Sequence, residues 1–381
     1  MTGQTENPTP FQEAVQRFKK ERMAVFALIF IALLFLTAVL APLIANGLPL
    51  LVIPEEGMPF SPALRDFFAP DVQEVFVEKI FNYLLLALPA ALILHKKKWL
   101  MFAALILLII PFLTVQRVND TTGYDQLPGI RTIIRTPVPY SPFATSPDTY
   151  EKPSAEHWLG TDQSGRDVFA RMLYGGRVSL AVGLLASAIS LLLGVSVGLF
   201  SGYLGGKFDL FVQRVVEIVI CFPTFLLLLI LMALMLDSGS RQSILLVILV
   251  LGCTGWPGLA RLVRGEVLKQ RQMQYIQACE SLGVPFVRIM FRHLLPNVAG
   301  PVFVCFAFDV AGAILAENSL SFLGFGVQIP TASWGELLRQ ALEDPLTYWN
   351  LMLWPGLAVF FCVCAFHFIA DGLRNTIDRK T

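Results

Sequence analysis

Charged residues are scarce in this sequence. Of its 381 residues, 15% are Asp, Glu, Lys or Arg, whereas 55% are apolar and the mean hydropathy is +0.64. A water-soluble domain of this length needs far more charge on its surface. The net charge of +1 also lacks the basic excess of a nucleic-acid-binding surface, so no nucleic-acid partner is expected.

Cysteine is also sparse, and its placement excludes an extracellular disulfide framework. Cys279 lies in a polar segment, and the other cysteines lie inside apolar runs: Cys221, Cys253, Cys305, Cys362 and Cys364. Cys362 and Cys364 are separated by one residue, and no second pair of potential metal ligands accompanies them. We therefore expect packing roles for these thiols and no bound metal.

Much of the sequence consists of long apolar runs. They predict spans at 23–45, 80–94, 99–115, 178–200, 212–236, 243–262, 298–323 and 350–370. Most approach the ~20 residues that a helix needs to cross a bilayer, and they lack the period-2 alternation of barrel strands. The first run is too long for the apolar part of a secretory signal, so it predicts an anchor. The predicted fold class is an all-α polytopic membrane protein.

The distribution of basic residues predicts that both termini are cytoplasmic. One side of the predicted spans holds Arg17, Lys19, Lys20, Arg22, Lys96, Lys97, Lys98, Lys207, Arg264, Lys269, Arg271, Arg288, Arg292, Arg374, Arg379 and Lys380. The short loops on the other side hold Arg241 and Arg339. The rule therefore places segment 1–22 and tail 371–381 inside, and loops 46–79 and 116–177 outside.

Segment 80–115 is predicted to be a hairpin of two spans joined by the lysines at 96–98. Its first arm is short and contains Pro89. A re-entrant or interfacial hairpin is therefore the alternative. Both arrangements leave the orientation of the downstream spans unchanged.

The end of loop 116–177 carries a helix-start signal. Ser164 and Asp167 have the spacing of a capping box, and Val168 with Met172 begins an apolar stripe. This pattern predicts a short amphipathic helix along the membrane surface. A linker that only packs is the alternative.

Small residues recur at every fourth position of one predicted span, at Ala186, Ser190, Gly194 and Gly198. Small side chains in lipid allow two helix backbones to approach closely. The stripe therefore predicts a helix-packing surface, whose partner lies in this chain or in another subunit.

The sequence lacks a phosphate-binding loop and offers no catalytic residues. Stretch 202–208 resembles one, but Ser201 holds the first glycine position and Phe208 stands where Ser or Thr is required. If ATP drives this protein, another polypeptide hydrolyses it.

A polar segment, 263–297, interrupts the apolar region 178–370. Its pattern predicts a short helix stopped at Gly283, followed by a second helix that ends at Leu295 and Pro296. A helix-turn-helix that projects from a membrane domain predicts a docking site for a cytosolic partner.

This segment resembles the EAA loop of binding-protein-dependent ABC importer permeases. The family pattern is Glu-Ala-Ala, three residues, Gly, and a later Ile-x-Leu-Pro-like end. The residues that the resemblance assigns to coupling with an ATPase are Tyr275, Gln277, Ala278, Cys279, Gly283, Leu295 and Pro296. Gln277 and Cys279 depart from the family triplet.

Other stretches resemble the dipeptide, oligopeptide and nickel permease branch of that family. They are 159–162, 165–167, 174–180, 202–206, 321–326, 333–335 and 371–374. The resemblance covers the first span and nearly everything from about residue 158 onward, and the segment from about Val75 to Val115, which contains hairpin 80–115, is interpreted as an insertion. It implies the type I ABC importer permease fold, with six core spans, in a bacterial or archaeal cytoplasmic membrane.

The resemblance also implies a function and a set of partners. The chain would be a transport subunit without enzymatic activity that moves di- or oligopeptides, with nickel or another small solute as the alternative. It would assemble in lipid with a second homologous permease, two ATPase subunits that use ATP-Mg, and an extracytoplasmic solute-binding protein, and would itself bind no cofactor. A rival, an ion-coupled secondary transporter, would show inverted repeats and matching broken helices.

Three carboxylates, Glu217, Asp309 and Glu317, lie in or near apolar spans, where an ionised group is costly unless paired or hydrated. One interpretation is that they line a translocation path and meet a peptide. The other is a structural pair, such as Glu217 with Arg214 three residues before it. Pro223 is expected to kink its span.

Overall fold

The computed structural model describes residues 15–55, 58–68, 75–94, 96–114, 130–237 and 244–378. The predicted outside charge Arg241 and the tail charges Arg379 and Lys380 fall outside these residues. The chain forms two compact units. Unit 1 comprises Met1–Ala32, Val182–Glu317 and Val359–Thr381, and unit 2 comprises Leu33–Ala181 and Asn318–Ala358.

Helices make up most of the described chain. In order they are α1 (Arg22–Ile44), α2 (Pro62–Phe68), α3 (Val75–Leu94), α4 (Lys98–Leu107), α5 (Ile109–Thr114), α6 (Val168–Leu204), α7 (Gly206–Cys221), α8 (Thr224–Asp237), α9 (Ile244–Arg271), α10 (Gln274–Ser281), α11 (Phe286–Arg288), a π-helical segment (Ile289–Leu294), α12 (Leu295–Phe322), α13 (Trp334–Gln340) and α14 (Trp349–Asp378). Two strands, β1 (Leu51–Pro54) and β2 (Ile130–Ile134), accompany them.

Five helices in the described part of the chain are long and apolar enough to cross a membrane. They are α1, α6, α9, α14 and the 37-residue run Phe286–Phe322 that contains α11 and α12. The pair α7 and α8 gives a sixth if it counts as one span. These helices coincide with the long apolar runs, so the predicted all-α polytopic class is confirmed.

The predicted span 212–236 is broken in the middle. Helices α7 and α8 meet at an angle of 78°. Phe222, the C-cap residue that follows α7, has an extended backbone (φ −85°, ψ 130°), and Pro223 comes next. The residue before a proline is pushed out of the helical region, so the break lies where the proline predicts a kink.

Helix α6 is longer than predicted. We expected a separate surface helix near Ser164, but one 37-residue helix runs from Val168 to Leu204. The cap is Asp167, whose Oδ1 accepts a hydrogen bond from the Ala170 N–H at 2.7 Å. Val168 packs in a buried cluster with Leu337. The apolar stripe therefore faces protein, so the prediction of a helix along the membrane surface is wrong here.

Unit 2 contains a small sheet that the apolar pattern does not predict. Strand β1 pairs antiparallel with β2, with Leu51 opposite Ile134 and Val52 opposite Ile133. A shift in register falls between Ile53 and Pro54. The sheet ties together the two long loops that were predicted to lie on one side of the membrane.

The inserted hairpin is anchored in unit 2 by one arginine. Arg177 of α6 is fully buried, and its guanidinium donates to the Glu78 carboxylate and to Asn82 Oδ1 (2.9 Å), both on α3. It also donates to the backbone carbonyls of Ala38 (2.7 Å) and Val39 (3.2 Å) on α1. A single buried cation thus joins three helices. Lys98–Phe112 is a shorter apolar helix, so two full crossings by this hairpin stay a prediction.

Candidate functional site

The polar loop of unit 1 is built around a left-handed glycine. Helix α10 ends at Ser281, and Gly283 has φ +71°. The Gly283 N–H donates to the Glu280 carbonyl at 3.0 Å, and the Val284 N–H donates to the Cys279 carbonyl at 3.1 Å. These two bonds form a Schellman motif, in which the residue after the helix adopts the left-handed conformation that favours glycine.

A buried core lies behind this loop. Ile276 of α10 is fully buried in a cluster with Val263 and Val267 of α9, Leu199 of α6 and Met290 of the π-helical segment. Cys279 and Val284 pack against the same cluster. Because α10 packs into this close-packed interior, a force on α10 is transmitted to the helices behind it. The loop is therefore a rigid extension of those helices.

Tyr275 connects the two ends of the loop. Its hydroxyl donates to Gln270 Oε1 of α9 at 2.7 Å and accepts from Asn297 Nδ2 of α12 at 3.1 Å. Partial burial raises the pKa of the phenol, so Tyr275 remains a neutral donor near pH 7. The Gln277 side chain donates from Nε2 to the Gln272 carbonyl over a long 3.4 Å.

The second half of the loop differs from prediction at Leu295 and Pro296. A helix was expected to end there, but the chain is helical without a break from Phe286 to Phe322. The turns before Pro296 are π-helical, over Ile289–Leu294. A π turn widens the helix, so the proline ring and its missing N–H are accommodated without a break.

The outer surface of the loop carries a cluster of exposed apolar side chains. We call Leu282, Phe286, Val287 and Phe291 the loop tip; their side chains are 82%, 48%, 48% and 54% exposed. Beside the tip lies an open groove of about 620 Å³ whose lining includes Val287, Phe291, Pro296 and the cations Arg288 and Arg292. Exposed apolar clusters rimmed by charge mark protein interaction sites.

The stripe of small residues on α6 packs against α9 of the same unit. A Cβ added at Gly194 would lie 2.9 Å from the Leu259 Cβ, and one at Gly198 would lie 2.7 Å from the Ala260 carbonyl oxygen. Ala186 and Ser190 also lie against α9, because an added Cβ at Gly252 would lie 3.0 Å from the Ala186 carbonyl oxygen and one at Gly255 would lie 3.2 Å from Ser190 Oγ. Helix α9 of this chain is therefore a partner of the stripe.

The three carboxylates predicted for a path are in three different environments. Glu217 is exposed and bonded to Arg214 at 2.6 Å, which is the structural pair considered above. Glu317 is fully buried. Asp309 lines a cavity of about 220 Å³ among α6, α8, α9 and α12, and neither Glu217 nor Glu317 is among the described residues that line it.

Sequence reasoning missed a charge pair that ties α7 to α9. Arg264 donates from Nε and Nη2 to the two oxygens of Asp209, both at 2.6 Å. The Ser201 hydroxyl of α6 donates to the same carboxylate. Asp209 and Arg264 are 55 positions apart, so no local pattern predicts that they pair. The one available signal was that each is a charged residue next to an apolar run.

In unit 2, three of the stretches that carry the resemblance, 159–162, 165–167 and 333–335, lie at one buried charge cluster. Asp162 accepts from Arg166 Nε at 2.8 Å, Arg171 Nε lies 3.1 Å from the same carboxylate oxygen, and Arg171 donates from Nη2 to Glu336 at 2.6 Å. Burial and the neighbouring Arg171 charge lower the pKa of Arg166. Ser333 caps α13 by accepting from the Glu336 N–H at 3.1 Å. The motifs at 159–167 and 333–335 are therefore parts of one structural element.

The described architecture is that of a multi-pass membrane protein with a structured polar loop. Comparison with known families agrees. A family model described as binding-protein-dependent transport system inner membrane component matches residues 194–381. A second, described as the N-terminal TM domain of oligopeptide transport permease C, matches residues 9–70.

Curated relatives extend this result. The dipeptide transport system permease protein DppC of Bacillus subtilis is 41% identical over 229 residues, which are 60% of this chain and 70% of that protein. The oligopeptide transport system permease protein OppC of Haemophilus influenzae is 40% identical over 59% of this chain and 70% of that protein. The glutathione transport system permease protein GsiD of Pectobacterium atrosepticum is 37% identical over 60% and 75%.

The chain belongs to the binding-protein-dependent transport system inner membrane component family of ABC transporter permeases. The resemblance found in the sequence and the type I ABC importer permease fold are thereby confirmed. Both family matches leave out residues 71–193, which include the inserted hairpin.

Proposed function

We propose that this chain is a permease subunit that imports di- or oligopeptides, driven by ATPase subunits that dock on the loop tip. The observation that carries the proposal is the loop itself, a rigid helical element with an exposed apolar surface and a buried core continuous with α6, α9 and α12. The peptide substrate is supported by the relatives named for dipeptide and oligopeptide transport.

The partners are those that the family implies, and the loop supports the contact with an ATPase. The loop tip and groove present apolar side chains beside Arg288 and Arg292, which suit an ATPase surface with a hydrophobic cleft and acidic rim. A second permease chain would complete the translocation path, with one ATPase for each permease. A solute-binding protein outside the cell would deliver the peptide. Both termini and the loop tip lie in the cytoplasm, as the basic residues predict.

The mechanism is alternating access. When the ATPases close on ATP-Mg, they move the loop tips. Since Ile276 and Met290 lie in one core with Val263 and Leu199, that displacement shifts α9 and α6 together rather than bending the loop. ATP hydrolysis then resets the helices, and the path faces alternate sides of the membrane. This chain supplies no group to the hydrolysis.

Leu282 provides the test, because it is the most exposed residue of the tip. In a strain that lacks this gene, the natural chain is expected to restore vanadate-sensitive uptake of a labelled tripeptide and to copurify with ATPase subunits. Leu282→Asp places a charge in the apolar contact and is expected to abolish both. Met58→Asp, at a position 88% exposed in another loop, is the matched control. Vanadate-resistant uptake by the natural chain, or normal uptake by Leu282→Asp, would refute the proposal.

A further inference from the structure

The cavity beside Asp309 has a polar lining in an otherwise apolar region. It opens among α6, α8, α9 and α12 and holds about 220 Å³, all within unit 1. Its polar lining includes Asp309, Ser187, Ser190 and Thr254, and Phe308 contributes an aromatic side chain. Since a cavity needs only about 10–15 Å³ of such space to hold one water molecule, this one has room for several waters or for one end of a polar solute.

Two hydroxyls of this lining are buried without a partner. Ser187 and Ser190 are 2% and 3% exposed, and neither Oγ atom has a hydrogen-bond partner within the described chain. Thr254 differs, because its hydroxyl bonds back to the Val250 carbonyl at 2.8 Å. Buried hydroxyls are nearly always hydrogen-bonded, so the two serines call for a polar group in the cavity.

Asp309 supplies the charge. It lies in the middle of α12, a helix of membrane length, and no cationic side chain among the described residues pairs with it. An ionised carboxylate at such a position is costly unless a cation compensates it. The contrast with Glu217 is informative, since that carboxylate has Arg214 beside it on an exposed surface.

We infer that this cavity binds a primary ammonium group. An ammonium has three N–H donors and no acceptor, which matches one carboxylate and two hydroxyl oxygens that lack donors. Phe308 also lines the cavity, and the face of an aromatic ring attracts a cation. Divalent Ca²⁺ or Mg²⁺ requires about six or more oxygen ligands and is poorly matched by a single carboxylate. An anion would be repelled by Asp309.

The carrier of the ammonium group follows from the proposed function. If the transported solute is a peptide, its α-amino group or a lysine side chain enters the cavity during translocation, and Asp309 orients the amino end of the substrate. The chemistry of the cavity itself does not depend on that assignment, so the two claims are tested separately.

Access by small charged reagents tests the chemistry directly. Thr254→Cys places a thiol in the lining while keeping both serines and Asp309, in a background in which the six native cysteines are alanine. The full-length chain is reconstituted with its copurifying subunits. It is then treated with 2-aminoethyl methanethiosulfonate, a cation, or 2-sulfonatoethyl methanethiosulfonate, an anion.

After correction for the reactivity of free cysteine, we expect the cation to react at least about tenfold faster, because the cavity concentrates positive charge. Asp309→Asn is expected to remove this preference, and Asp371→Asn, at an exposed position on α14, to keep it. Millimolar methylammonium is expected to slow the reaction in the variant that retains Asp309. The competition with methylammonium uses only the variant that retains Asp309, so its result does not depend on whether Asp309→Asn folds.

Three results would overturn the inference: no cation preference, a preference that survives Asp309→Asn, or a thiol that neither reagent reaches. Filling the cavity is an independent check. Gly312 lines it and has open space around an added Cβ, so Gly312→Leu is expected to block modification, whereas Gly258→Leu, also with open space and outside the lining, is not. Cation preference without peptide uptake by the natural chain would instead contradict the proposed function alone.

Discussion

Arg177 and Glu78 form a buried ion pair that joins helix α6 to the inserted hairpin. The two residues are 99 positions apart, and the guanidinium also lies over the rings of Phe81 and Tyr174, at 5.4 and 5.0 Å from their centroids. Since Arg177 belongs to a stretch that resembles other permeases and Glu78 belongs to the insertion, the hairpin is attached to the permease body through one of the body's own residues.

Glu78→Ala tests that attachment. The substitution leaves the Arg177 guanidinium buried without a counter-charge, which is expected to lower the free energy of unfolding by about 3–5 kcal/mol. Urea titration of the chain in detergent micelles, followed by circular dichroism, measures the loss. Glu55→Ala removes an exposed carboxylate and serves as control. Equal stability of the two variants would show that the pair does not hold the hairpin.

Gly283 offers a comparison between two substitutions. An added Cβ meets no atom within 4 Å, so steric collision is absent and only the φ of +71° opposes a side chain. Asn tolerates this conformation and Val does not. We expect Gly283→Val to lose most vanadate-sensitive uptake while still inserting into membranes, and Gly283→Asn to retain most of it. Normal uptake by Gly283→Val would show that Gly283 is not part of the coupling element.

The spans were predictable from the sequence because they depend on local composition. Runs of apolar residues mark α1, α9 and α14 within a few residues, although α9 continues to Arg271 and α14 to Asp378. The stop at Gly283 was predictable for the same reason, since a glycine after a short helix favours a left-handed cap. Pro223 likewise marked the break between α7 and α8.

Features that depend on distant pairing were not predictable. Strand β1 is four residues long and pairs with residues some 80 positions away, such as Leu51 with Ile134. The capping signal at Ser164 competed with Asp167, and the hydrogen bond from the Ala170 N–H to Asp167 Oδ1 shows which residue caps α6. Among the three carboxylates, the local sequence indicated a structural partner only for Glu217, whereas Asp309 and Glu317 are distinguished only by their burial and surroundings in the structure.

The contact between α6 and α9 predicts a steric effect. At Gly198 an added Cβ would lie 2.7 Å from both the Ala260 carbonyl oxygen and the Val263 Cβ. Gly198→Val therefore forces the helices apart and is expected to cost about 1–3 kcal/mol of stability. Gly258→Val introduces the same side chain on α9 into open space. Thermal denaturation in detergent should show a lower midpoint for the first variant only; matching midpoints would contradict the packing.

Arg264 and Asp209 predict a difference between arginine and lysine. The pair has two N–H···O bonds of 2.6 Å, and the two side chains are 29% and 12% exposed. Arg264→Lys retains the charge but not the paired geometry, so a loss of about 1–2 kcal/mol is expected. Arg214→Lys, in an exposed pair with one bond, is the control and is expected to change little. The same urea titration measures both, and equal losses would argue against a role for the bidentate geometry.

The central claim is that the loop tip lies in the cytoplasm, where an ATPase can reach it. A membrane-impermeant maleimide applied to Leu282→Cys, in a background free of native cysteine, measures this most directly. The account predicts labelling in inside-out vesicles and none in right-side-out vesicles. Labelling in right-side-out vesicles alone would place the tip outside the cell and contradict the account.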